Sequence, residues 1–140
     1  MKNFSLYTII IFVVMIVAAL SYKYLFDEGL PKAFTEQIQQ QQNPFIIPKD
    51  SSGIVWKRAK QWLTGMDWLI QRPWQETDSS IFTPYIKGTQ KGVSIKIEKS
   101  IHADTVLFTV FYRNAGRLDK NGAKEVALYM NKGIGRSYIK

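Results

Sequence analysis

The chain of 140 residues contains no cysteine and only one histidine. Without cysteine it forms no disulfide, carries no thiolate nucleophile and cannot build a cysteine-ligated zinc site. The single histidine, His102, makes a histidine-based zinc site equally unfavourable. We therefore expect no metal and no other cofactor, and the folded part of the chain has to be stabilised by packing alone.

Acidic residues are scarce, because 11 Asp and Glu stand against 19 Lys and Arg, which gives a net charge of +8. Such a charge attracts anionic partners, among them lipid headgroups and the anionic polymers of a cell wall. The basic residues are scattered, however, and the one dense cluster is Lys57-Arg58-Ala59-Lys60. Because no nucleic-acid-binding motif accompanies this cluster, we do not expect nucleic acid as a partner.

One long stretch lacks charge altogether, the apolar run from Phe4 to Leu20. A helix over this run is about as long as the hydrocarbon core of a bilayer is thick, and the aromatic residues after it resemble an interfacial belt. The sequence therefore predicts a single-pass anchor of the inner (cytoplasmic) membrane in residues 1–26, with the C-terminal domain outside the cytoplasm. The alternative is a signal peptide cleaved near Leu20 or Ser21, which would give a secreted protein.

The rest of the chain divides into a linker, one small domain and a tail. Residues 27–48 are expected to be a flexible linker, because Gly29 and Pro31 end the first helix and the glutamine-rich stretch that follows has no apolar face to bury. Residues 49–133 are long enough for one hydrophobic core but too short for two. Residues 134–140 show no clear pattern and are assigned to the tail.

Helical periodicity is clear in two segments of the domain. The first begins at one of the N-cap residues 50–52 and ends near Gly65, and the second runs from Asn121 to Asn131 and stops at Gly133. Each segment places its apolar residues on one helix face. These residues are Val55, Ala59, Trp62 and Leu63 in the first segment, and Ala123, Val126, Ala127 and Met130 in the second. Both helices are therefore expected to pack against a sheet.

Strand periodicity is clear in Gly92–Lys99 and Thr105–Arg113, which are expected to form a hairpin. Weaker strand signals, interrupted by proline, lie in Trp68–Trp74 and Ile81–Ile86. Both faces of the strand at 105–113 are apolar, so we expect it to be central and covered on both sides. The predicted fold class is α+β, with a single N-terminal transmembrane helix and a small antiparallel sheet of three or four strands packed with two helices.

The remaining polar residues form no recognisable catalytic set. Ser100, His102 and Asp104 project to one side of an extended segment, but three neighbours in one hairpin connection rarely reach the geometry of a catalytic triad. Glu76 and Asp78 lie in a loop without a third ligand nearby. The tryptophans recur every six residues, a spacing that favours core packing over a shared platform for stacking sugars. They are Trp56, Trp62, Trp68 and Trp74.

These observations favour a membrane-anchored, basic, non-enzymatic interaction or accessory protein of the cell envelope, bound to another envelope protein. The contact residues expected from the sequence are Lys57, Arg58, Lys60, Gln61 and Trp74. Two alternatives stay open. One is an envelope enzyme that uses the loop carboxylates or the segment around His102, and the other is a protein that binds anionic wall polymer or lipid with a steep dependence on salt.

Overall fold

The computed structural model of the protein describes residues 2–26, 30–65, 74–83 and 92–136. Residues 1–32 form one compact unit and residues 33–140 form a second. The helices are α1 (Lys2–Phe26), α2 (Lys32–Gln40), α3 (Ser52–Gly65) and α4 (Lys120–Lys132). The strands are β1 (Phe45–Pro48), β2 (Gln75–Glu76), β3 (Ser80–Phe82), β4 (Val93–His102), β5 (Thr105–Asn114) and β6 (Arg117–Leu118). Most of the expected strand Trp68–Trp74, and the part of Ile81–Ile86 after residue 83, lie outside the described residues.

The N-terminal unit contains α1, whose side chains are described over residues 8–21. Among the described residues, no helix is both long enough and apolar enough to cross a membrane. The transmembrane helix in the predicted fold class is therefore wrong.

The second unit is built on an antiparallel sheet with the strand order β1-β5-β4-β3-β2, in which β6 also pairs with β5. The α+β class is confirmed, but three or four strands and three helices in all were expected, whereas the described residues hold six strands and four helices, of which α2 was not expected. The missed strands β1, β2 and β6 have four, two and two residues, respectively. Segments of this length are too short to show a strand period in the sequence.

Helices α3 and α4 pack on one face of the sheet. The alternation expected for β4 and β5 places one side of each strand in the core, with Phe108 fully buried and Trp62 of α3 edge-on to Tyr112 at 6.2 Å. All eight residues expected on the apolar faces of the two helices are buried, which confirms both helices. As expected, Gly133 ends α4 in the left-handed conformation, with φ at 72°.

Helix α4 is also buried on the side that faces away from this core. Its residues 124, 128 and 131 share one face, because they are separated by four and three positions. On that face Lys124 Nζ donates to the Gln39 carbonyl at 2.9 Å, and Asn131 Nδ2 lies 3.5 Å from Gln41 Oε1. Leu128 and Ile38 of α2 are both buried outside the main core cluster. Helix α2, which lies within the segment expected to be a linker, is thus joined to α4.

A side chain extends the pairing of β1 with β5. The Lys49 N–H donates to the Asp104 carbonyl. In an antiparallel ladder every second pair of opposite residues is hydrogen-bonded, so the pairs 47–106 and 45–108 are hydrogen-bonded as well. The next such position holds Asn43, whose Nδ2 donates to the Val110 carbonyl at 2.7 Å and whose Oδ1 accepts from the Val110 N–H at 2.9 Å. The side-chain amide of Asn43 therefore makes the two hydrogen bonds that a strand backbone would make at this position.

Replacing Asn43 with alanine is expected to lower the free energy of unfolding by about 1–3 kcal/mol, because it leaves both backbone groups of Val110 without this partner. Urea denaturation of the full chain measures the loss. The matched control is Asn121→Ala in the exposed first turn of α4, which should change stability by no more than about 0.5 kcal/mol. Equal losses in the two variants would contradict the role of Asn43.

Candidate functional site

The structure separates the contact residues that the sequence suggested. Lys57 and Gln61 are exposed on α3, and Trp74 is half-buried against the core. Arg58 points to the end of α4, where its Nη1 donates to the carbonyls of Met130 at 3.3 Å and Asn131 at 2.9 Å. The positive charge of Arg58 therefore complements the negative end of the α4 dipole, and its hydrogen bonds join α3 to α4.

Lys60 is part of a group of contacts between α3 and the sheet, which we call the brace; its members are Trp56, Lys60, Glu76 and Lys99. Lys60 Nζ lies 3.4 Å from Glu76 Oε1, which also accepts a hydrogen bond of 2.8 Å from Trp56 Nε1. The ring centroids of Trp56 and Phe108 are 6.2 Å apart. Lys99 Nζ lies 4.2 Å from the centroid of the Trp56 ring. With a lysine already over its ring, Trp56 is engaged as a structural contact, which disfavours a sugar-stacking platform at this position.

The brace lowers the pKa of Glu76, chiefly through the Trp56 hydrogen bond and further through Lys60 and Lys99, while desolvation acts in the opposite direction. A carboxyl group with a lowered pKa stays ionised at neutral pH and is a poor general acid. Because the folded pKa is lower than the unfolded one, the contribution of Glu76 to stability is present above its ordinary pKa and is lost as pH falls through the folded pKa.

Replacing Trp56 with phenylalanine removes the N–H donor and is expected to raise the pKa of Glu76 toward its ordinary value. Carbon-13 NMR of the side-chain carboxyl, followed from neutral to acidic pH, measures this change. The control is Gln61→Ala on the exposed side of the same helix, which should leave the titration of Glu76 where it is. A titration unaffected by Trp56→Phe would show that the tryptophan does not set the pKa.

The structure does not bring the other polar candidates into a catalytic arrangement. His102 Nε2 lies 3.3 Å from Ser100 Oγ, and Asp104 lies in the turn after β4, where its backbone carbonyl accepts from Lys49. Asp78 is exposed. In the described part of the chain, no three acidic or histidine side chains are placed to hold a metal ion.

One acidic side chain among the described residues is buried. Glu125 of α4 binds Arg136 through two contacts, Nε to Oε1 at 2.5 Å and Nη2 to Oε2 at 2.8 Å. This bidentate pair is of the strong, geometrically specific kind. It holds the segment after Gly133 against α4, so we assign Glu125 a structural role.

The face of the sheet opposite α3 and α4 is covered by no other helix of the second unit among the described residues, which corrects the expectation that β5 is covered on both sides. Phe111 is 43% exposed, and Ile46 and Leu118, on the neighbouring strands β1 and β6, are 67% and 68% exposed. The strand register aligns the side chains of this face in rows. The rows are Phe82–Lys96–Phe111, Ser94–Arg113–Leu118, Ser80–Glu98–Thr109, and Ser100–Leu107–Ile46. We call this surface the open face.

A groove of about 690 Å³ crosses the open face between its first two rows. Phe82, Phe111 and Leu118 give it apolar walls, and Lys96 and Arg113 give it positive charge. The volume is in the range of grooves that hold small ligands or the side chains of a partner. The open face thus combines exposed apolar side chains with two cations.

The sequence contains a signal for the open face. Leu107 and Phe111 make the second side of β5 apolar, a pattern that by itself predicts burial on both sides. An apolar side that nothing within the domain covers is instead typical of an interaction surface. Comparisons of this chain with protein-family models, with curated proteins and with solved structures find no match.

Proposed function

We propose that this protein is a non-enzymatic interaction protein whose domain binds a partner protein through the open face of its sheet. The observation that carries the proposal is the exposure of Phe111 and Leu118 at the groove, and of Ile46 further along the same face, on a sheet whose opposite face is packed by α3 and α4. Exposed apolar side chains that lie together are unfavourable in water and become favourable contacts when a partner covers them.

The engagement of the other candidate residues supports the same proposal. Arg58 is hydrogen-bonded to α4, and Glu76 binds both Lys60 and Trp56. These contacts give Arg58, Lys60 and Glu76 structural roles within the domain. The lowered pKa of Glu76 also disfavours this residue as the general acid of an envelope enzyme.

We propose further that the protein is exported to the cell envelope, with the apolar run before Leu20 acting as a cleaved signal peptide. Alkaline phosphatase fused after Lys140 should then be active in a bacterial host, and mass spectrometry should find a mature chain that begins near Leu20 or Ser21. An inactive fusion would contradict export, and an intact N-terminus would contradict cleavage.

The binding proposal is tested by affinity purification of the full chain and of two matched variants. Phe111→Asp places a charge on the open face, while Ile54→Asp does the same on α3, where Ile54 is 59% exposed. We expect one stoichiometric partner that recovers this chain in the reciprocal experiment, is lost with Phe111→Asp and is retained with Ile54→Asp. Circular dichroism of both variants checks that the fold is intact. A partner lost with Ile54→Asp and retained with Phe111→Asp would overturn the proposal.

A further inference from the structure

We infer that the groove of the open face binds an acidic peptide segment of the partner, one that carries both carboxylate and apolar side chains. The inference rests on the proposed function and deepens it by naming the chemistry of the partner. It follows from the side chains that line the groove, from the charge of the chain and from the edge of the sheet.

The lining of the groove suits a segment with apolar side chains. Lys96 on β4 lies opposite both Phe82 on β3 and Phe111 on β5, so one row of the face places a lysine between two phenylalanines. Leu118 stands at the end of the next row, opposite Arg113. Apolar side chains that enter the groove would be removed from water against these apolar residues, which favours binding.

The charges of the groove suit carboxylates. Lys96 and Arg113 lie in adjacent rows on adjacent strands. Glu98 lies on the same face, and its Oε1 is 2.5 Å from Lys96 Nζ. Both members of that ion pair are about half-exposed, and such surface pairs are weak, so a carboxylate from a partner can replace Glu98 at little cost. The chain as a whole carries +8. This charge attracts an acidic partner and repels a second copy of the same chain.

The edge of the sheet disfavours the other common way of binding a peptide, the addition of a strand. The hydrogen-bonded positions of β1 are the odd-numbered ones, so the backbone groups of residues 44, 46 and 48 point away from β5. Pro44 and Pro48 have no N–H, which leaves Ile46 as the single outward donor of this segment. A peptide is therefore expected on the open face and not along the β1 edge.

The probe is a fluorescein-labelled synthetic peptide composed of aspartate, leucine and phenylalanine, and fluorescence anisotropy measures its binding to the full chain. A second peptide has asparagine in place of every aspartate. We expect the acidic peptide to bind at least about 10-fold more tightly than the amide peptide. The substitutions Lys96→Gln and Arg113→Gln together should remove this difference, and Lys57→Gln on α3 should preserve it.

Equal binding of the two peptides would overturn the inference. So would a Lys57→Gln variant that removes the difference in affinity as fully as Lys96→Gln and Arg113→Gln together. So would binding of vesicles rich in phosphatidylglycerol, or of wall polymer, that depends on Lys96 and Arg113 while the acidic peptide does not bind. The outcome for the proposed function is separate. A partner that is lost with Phe111→Asp but retained with Lys96→Gln and Arg113→Gln would leave the open face as the binding surface and overturn only its preference for acidic segments.

Discussion

Replacing Phe108 with alanine is expected to lower the free energy of unfolding by about 3–5 kcal/mol. The side chain is fully buried, its ring stacks on Phe45 at 5.6 Å, and Trp56 packs against it at 6.2 Å. Truncation removes this apolar contact and leaves a cavity between the sheet and α3. Urea denaturation of the full chain, followed by circular dichroism, measures the loss. Because a small domain has only about 5–15 kcal/mol of stability, the variant should approach the limit of folding.

The control for this prediction is a second phenylalanine of the same strand. Phe111 lies three positions further along β5, points to the opposite face and is 43% exposed. Its replacement by alanine should cost less than about 2 kcal/mol, since a large part of its surface is already in contact with water. Equal losses from Phe108→Ala and Phe111→Ala would contradict the assignment of the core to one face of the sheet and the open face to the other.

Ile38 and Leu128 are expected to be energetically coupled. Each replacement by alanine should cost about 2–5 kcal/mol, because both side chains are buried away from the main core. If the two pack against each other, the double variant should lose less than the sum of the single losses, by at least about 0.5 kcal/mol. Urea denaturation of the four chains of this double-mutant cycle measures the coupling.

Additive losses in the double-mutant cycle would contradict the docking of α2 on α4. A second readout is hydrogen exchange at the backbone amides of α2, which should become faster in Leu128→Ala than in the parent chain. Slow exchange in that variant would show that α2 is held by contacts other than Leu128, such as the hydrogen bond from Lys124 to Gln39.

The elements that the sequence predicted well have an apolar pattern that repeats over many residues and then stops clearly. Helix α3 carries its apolar residues on one face and ends at Gly65, and α4 is ended by Gly133 in the left-handed conformation. In the hairpin, burial alternates along β4 as far as Glu98 and along β5 as far as Arg113. In these segments local pattern and tertiary packing agree, so the pattern alone is sufficient.

The elements that the sequence did not predict depend on contacts between distant residues. Strand β1 pairs with residues 105–108, and Asn43 completes that pairing through a side chain, which no local pattern reveals. Helix α2 is polar apart from a few residues, and it is held by the single buried Ile38 and by hydrogen bonds to α4. Tertiary contacts of this kind override the local preference of a glutamine-rich segment for solvent.

The proposed surface could not be located from the sequence. The composition indicates a basic interaction surface, and adjacency along the chain favours the cluster around Lys57. In the folded chain Arg58 and Lys60 are engaged with α4 and Glu76. The cations of the groove, Lys96 and Arg113, are adjacent only through the register of β4 and β5, which the sequence does not specify residue by residue.

The central claim is that the open face, and not the α3 surface, contacts the partner. Photo-crosslinking from p-benzoylphenylalanine tests it most directly, with the crosslinker placed at position 111 in one full-length chain and at position 57 in another. Both positions are exposed, so both accept the crosslinker without disturbing the core. We expect a crosslink to the partner from position 111 and none from position 57. A crosslink from position 57 alone would contradict the claim and return the contact surface to α3.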